Sequence, residues 1–155
     1  MRTAPFALLH PVEARAGRSL PGGRASTRRP ALLAGFDQSR QFFAECFRAI
    51  DPARETLFVA FLDAAARCIQ LSRHDGDAAG VEWPLRAILL EAARTNCAGL
   101  IVAHNHPSGD SSPSASDRSA TRRLATAAEA IDVALVDHLL FAAEDCCSFR
   151  RMGLL

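Results

Sequence analysis

The sequence predicts an α/β domain in which a mixed β-sheet is sandwiched by helices, and three observations carry that expectation. Two apolar runs, 56–62 and 99–103, have strand length and β-rich composition and end at a polar residue. Stretches with helical spacing of apolar residues, 36–50, 84–96 and 116–130, alternate with such runs, which suits helices layered on a sheet. Finally, 155 residues with 49% hydrophobic content support one good core and are too few for two ordinary domains.

In chain order, the first helix spans 36–50, where Phe36, Phe43, Cys46, Phe47 and Ile50 fall near one stripe and Asp37 offers an N-cap. Strands follow at 56–62 and about 67–72. Pro84 opens a second helix reaching Asn96, because its fixed φ and missing N–H suit a first turn; Leu85, Ile88, Leu89 and Ala92 form its buried face. The strand at 99–103 ends at His104. A helix from about Ser116 to Ala130 comes next, then strands near 133–142 and 147–150. No internal repeat is evident.

Charge divides the chain. Residues 1–35 carry six arginines against Glu13 alone, a balance of +5, so the remainder stands at −4 within the overall +1. With Pro, Gly and Ser scattered through Ser19–Pro30, residues 1–35 are expected to be a disordered basic tail, and 36–155 the folded domain. Such a tail offers a weak contact for DNA or an acidic partner, although most tails of this kind are simply solvated. The five cysteines are odd in number and form no Cys-x-x-Cys pair, which favours reduced thiols and a cytoplasmic setting. No apolar run approaches the ~18 residues of a membrane span, so no membrane partner is expected.

The chemistry concentrates in 104–117, which reads His104-Asn105-His106-Pro107, a Ser/Gly/Pro-rich turn, then Ser114-Ala115-Ser116-Asp117. Residues i and i+2 of an extended chain share a side, so His104 and His106 can reach one ion, and Pro107 favours extended dihedrals at His106. Two imidazoles and a carboxylate are the ligands of a zinc site with a fourth position open to water. Ser114 and Asp117 also fit a capping box at a helix start. Ligand and cap need not exclude each other.

The spacing His-x-His-x7-Ser-x2-Asp resembles the JAMM motif of the JAB/MPN metalloproteases, and His104 to Gly109 resembles the version found in the bacterial RadC family. Val136-Asp137-His138-Leu139, Ser148-Phe149 and Gly153 are similar to that family's closing pattern, so the resemblance covers roughly residues 54–155. It implies the JAB/MPN fold, a three-layer architecture like that of cytidine deaminases. It implies zinc held by His104, His106 and Asp117, Glu55 as general base, and Ser114 as hydrogen-bond donor to the oxyanion. The implied activity is zinc-dependent hydrolysis of a peptide or isopeptide. Without the resemblance, Glu55 is an ordinary solvated acid at a strand start.

Other classes fit less well. Amidohydrolases place His-x-His on the first strand of a barrel of ~250 residues, too long for this chain. Zinc deaminases need His-x-Glu with a later Pro-Cys-x-x-Cys, and neither occurs. A non-enzymatic, DNA-repair-associated or scaffold module of the same family is the alternative, although a scaffold needs neither base nor oxyanion donor. RadC-like sequences commonly carry a helix-hairpin-helix-like region before this domain, where here a basic tail and one helix are expected, and the chain differs from them in its segment His74–Pro84, which is expected to line the substrate groove. His74 is expected on an exposed turn, and His138 as a structural residue rather than a ligand.

Overall fold

The computed structural model describes residues 30–76, 82–143 and 145–155. The chain runs through α1 (Phe36–Phe47), β1 (Thr56–Leu62), β2 (Cys68–Asp75), α2 (Leu85–Thr95), β3 (Gly99–Asn105), α3 (Ala115–Glu129), β4 (Ala134–Ala142) and β5 (Asp145–Ser148). Its strands form one five-stranded sheet in the order β2-β1-β3-β4-β5. β3 and β4 are parallel, with α3 as the crossover between them, and the other neighbours are antiparallel. The mixed sheet between helices that the sequence predicts is the observed architecture.

Period-two alternation assigns the two faces. Leu57, Val59 and Phe61 of β1 and Leu100 and Val102 of β3 pack against Ile88 and Ala92 of α2 and Leu124 and Ala128 of α3. The intervening Phe58, Ala60, Leu62, Ile101 and Ala103 pack against Phe43 of α1 on the other face. Every residue of β1 is therefore buried, as a central strand covered on both sides requires. Each large side chain so buried contributes roughly 1.5–3 kcal/mol.

One irregularity in β4 matters for the site. Leu100 pairs with Leu135 but Ile101 pairs with Asp137, so Val136 is an extra residue, a β-bulge. From there on the faces of β4 are exchanged, and His138 lies beside Val102 on the α2/α3 face. The bulge is braced by polar groups. Asp137's carboxylate accepts from the amides of His138 (2.7 Å) and Arg150 (3.1 Å) and from Ser148 Oγ (2.6 Å). The Arg150 guanidinium donates to the carbonyls of Leu135 and Val136. Gly99 faces the bulge, and a Cβ there would lie 2.9 Å from Val136 Cγ2.

Several boundaries differ from the sequence reading. The N-cap of α1 is Gly35 in extended conformation, with no side-chain cap, and Asp37 sits in the first turn, where its charge suits the helix dipole. α1 ends at Phe47; Ala49 and Ile50 continue in tighter turns, donating to Cys46 and Phe47 at 3.3 Å, and Ile50 still packs in the core. β2 continues to Asp75 because its ladder with β1 runs the whole way, Thr56 pairing with Asp75, so His74 lies within a strand and is half-buried. β5 lies two residues earlier than expected, the chain turning after Ser148 as Met152 N bonds back to its carbonyl.

Of the expected tail, residues 1–29 and their contact with nucleic acid or an acidic partner lie outside the described residues. Residues 31–33 run along the start of β2, where Leu32 bridges to Arg67, and Leu33 is buried on the α1 face. Among the described residues, no helix is long and apolar enough to cross a membrane.

Candidate metal centre

The end of β3 presents the two histidines. His104 lies opposite Leu57 and therefore on the α2/α3 face, and His106, two residues on, keeps that side. Their Nε2 atoms are 3.0 Å apart, with His104 fully buried and His106 partly so. The chain then turns through Gly109, whose φ of +80° suits a residue without Cβ, and reaches Ser114, the N-cap of α3. The first turn of α3 returns Asp117 to the histidines, with Oδ1 3.1 Å from His104 Nε2 and Oδ2 3.3 Å from His106 Nε2.

The capping box is present as well. Ser114 Oγ accepts from Asp117 N at 3.0 Å, while Ser114 N donates to Asp117 Oδ2 at 2.7 Å. One carboxylate thus caps its helix and faces both imidazoles, and the helix start is what aims it.

Glu55 reaches the same place from β1. Two residues before Leu57, it shares that residue's face, and its flanks are clamped by Asn105, the residue between the histidines. Asn105 Oδ1 accepts from Thr56 N (2.8 Å), and Asn105 Nδ2 donates to the Arg54 carbonyl (3.0 Å). Glu55's own carbonyl accepts from Gly76 N (2.9 Å). The structure brings one ligand atom each of Glu55, His104, His106 and Asp117 within 4.8 Å of one another, a group that could hold a metal ion.

The donor chemistry fits such an ion. His106 Nδ1 lies 2.8 Å from the Asp110 carbonyl, which can only accept, so Nδ1 carries the proton and Nε2 of the neutral ring presents a lone pair. A proton placed among His104, His106 and Asp117 can satisfy one of the three contacts at a time, whereas a cation satisfies all three. Ligands of a tetrahedral zinc with bonds of ~2.0–2.1 Å lie about 3.3 Å apart. The three observed separations, 3.0, 3.1 and 3.3 Å, are close to that spacing.

Against this geometry, the model of the RadC-like JAB domain matches residues 35–154. The chain belongs to the RadC-like JAB domain family. It is 39% identical over 115 residues to a UPF0758 protein of Acidithiobacillus ferrooxidans, covering 74% of this chain and 50% of that protein. It is 43% identical over 102 residues to a UPF0758 protein of Burkholderia thailandensis, covering 64% of this chain and 38% of that one. The chain spans half or less of the length of these relatives.

In this RadC-like domain the site is larger than the motif. His138, fully buried on β4, lies 2.7 Å by Nε2 from His104 Nδ1, and Thr121 Oγ1 of α3 lies 2.8 Å from its Nδ1. Burial first, then the neighbouring imidazoles, hold His138 well below the ordinary histidine range. The ring of Phe149 stacks on it at 3.9 Å and Trp83 meets it edge-on at 5.0 Å. Thr121 carries no sequence signal, being one threonine on a helix, and His138 needed the β4 register to be placed. His74 stands apart, with Nε2 3.1 Å from Ser72 Oγ.

A groove of about 800 Å³ opens beside His106, lined by Arg40, Phe47, Ile50, Asn105, Pro107 and Phe141 among others. Its walls come from α1, the histidine loop and β4. Of the segment His74–Pro84, residues 77–81 lie outside the described residues, and Trp83 packs edge-on against His138 on the opposite face of the sheet from this groove.

Proposed function

We propose that this chain is a zinc-dependent hydrolase that cleaves a peptide or isopeptide amide. The observation that carries the reading is the meeting of two imidazoles and a carboxylate, at the spacing of zinc ligands, with a second carboxylate from another strand. Two histidines and one aspartate leave the fourth position of zinc open, as catalytic sites do and closed structural sites do not. Zinc bound there supplies a Lewis acid and acidifies a water molecule towards a pKa of ~7.

The protein's own groups divide the remaining work. Glu55, held by backbone bonds just before β1, accepts a proton at its carboxylate from the attacking water and passes it to the leaving amine nitrogen. Ser114 Oγ already accepts from Asp117 N, so its hydrogen is available to the oxyanion of the tetrahedral intermediate. Loss of a donor of that kind costs on the order of a hundredfold or more in rate. Five free thiols suit a reducing, cytoplasmic setting.

The test pairs metal content with turnover. Plasma mass spectrometry of untagged protein purified without chelator should give about one zinc per chain, lost in His104→Ala. On a fluorogenic peptide library, the Glu55→Gln variant should retain zinc and lose cleavage. Absence of metal after zinc reconstitution sinks the reading, and Glu55→Gln cleaving at the parent rate removes Glu55 as the base.

A further inference from the structure

A path of hydrogen bonds leaves one member of the cluster and returns to another. Thr121 Oγ1 lies 2.6 Å from the backbone oxygen of Asp117, four residues back along α3, and a carbonyl can only accept, so the hydroxyl proton is committed there. The same Oγ1 has only lone pairs left for His138 Nδ1 at 2.8 Å, so Nδ1 must carry a proton. In the neutral ring Nε2 is then bare. It faces His104 Nδ1 at 2.7 Å, which supplies the proton of that bond and leaves His104 Nε2 with a free lone pair. That lone pair points at Asp117 Oδ1 and His106 Nε2.

The geometry leaves His138 little freedom to break this order. Its ring is held between stacked Phe149 and the edge of Trp83, at full burial. The bulge at Val136, braced by Asp137 and Arg150, is what turns His138 rather than its neighbour towards α3.

We infer that Thr121 and His138 form a proton-ordering relay that fixes the tautomer of His104, so that its Nε2 is presented bare to the metal. Both are positioning residues, and the inference rests on the metal-centre reading above. The relay closes a ring through the site: Asp117 carbonyl, Thr121 hydroxyl, His138, His104, metal, Asp117 carboxylate. A ligand on β3 and a ligand on α3 are thereby ordered by one set of protons. Partners that orient a ligating histidine typically change metal affinity by 10–100-fold when lost.

The experiment uses the full chain, histidine-labelled with nitrogen-15, and zinc alone as the probe. Long-range nitrogen–proton correlation on the zinc-loaded parent should show His138 and His104 both protonated at Nδ1. Thr121→Val keeps the branched shape and removes both donor and acceptor; its zinc affinity, read by competition with a chromophoric chelator, should fall on the order of 10–100-fold. Thr121→Ser restores the hydroxyl and should return the affinity to the parent value, a rescue that a packing role would not produce.

A parent in which His138 carries its proton on Nε2 overturns the relay, whether or not any variant folds. A folded Thr121→Val that binds zinc as tightly as the parent overturns it too, with the metal centre left standing. A parent that binds no zinc overturns the metal centre and the relay together.

Discussion

Asn105 shows how much one side chain between two ligands can do. Its amide bonds both flanks of Glu55, the Arg54 carbonyl and the buried Thr56 amide, and so ties the histidine strand to the start of β1. Asn105→Ala leaves the Thr56 amide without a partner, which costs ~1–3 kcal/mol. Denaturant unfolding should show that loss in Asn105→Ala and a smaller one in Asn105→Asp, which keeps the acceptor for Thr56 N. Equal stability of parent and alanine variant would remove the clamp. The histidines, Ser114 and Asp117 were legible in the sequence because their spacing is itself the signal. Asn105, Thr121 and His138 were not legible as partners, since each acts through a residue on another element.

At the scale of elements, the face covered by α1 carries three of the five thiols. Burial pushes Cys46 and Cys68 from an ordinary 9.0 to about 11, and Cys146 to about 12. Each folded thiol holds its proton more tightly than the unfolded one. Stability should therefore be level below about pH 9 and fall as the pH rises from 9 towards 11–12. The composition makes the effect readable, because the chain has no lysine and no tyrosine to titrate in that range. Urea midpoints under reducing conditions should be lower at pH 10.5 than at pH 8, and less so after replacement of all three cysteines by alanine. A midpoint independent of pH would mean that these thiols are not buried as described. The stripe of α1 was readable because helical spacing needs no partner to be seen. Its cap and end were not, since Gly35 caps through backbone alone and the tighter turns after Phe47 depend on the packing of Ile50.

Across the whole molecule, the site joins segments that lie far apart in the chain. The residue before β1 supplies Glu55, β3 and the turn after it supply the histidines, and α3 supplies Asp117, so an ion there would add a further link between α3 and the sheet it packs on. An ion that binds only the folded chain stabilises it by about 4 kcal/mol at a thousandfold excess over its dissociation constant. Zinc should raise the thermal midpoint of the parent by several degrees, a chelator should reverse the rise, and His104→Ala should show neither change. The same rise in His104→Ala would place the bound zinc elsewhere.

The sequence by itself determined the class of fold, the two central strands, the histidine pair at a strand end and the helix start that carries Asp117, because each depends on short-range periodicity or spacing. Only the tertiary structure decided that β2 reaches Asp75, that a bulge exchanges the faces of β4, and that His138 and Thr121 stand behind His104. The reason is physical. Strand register, bulges and buried hydrogen bonds arise from pairing between distant segments, and one residue more or less in that pairing turns a side chain to the opposite face.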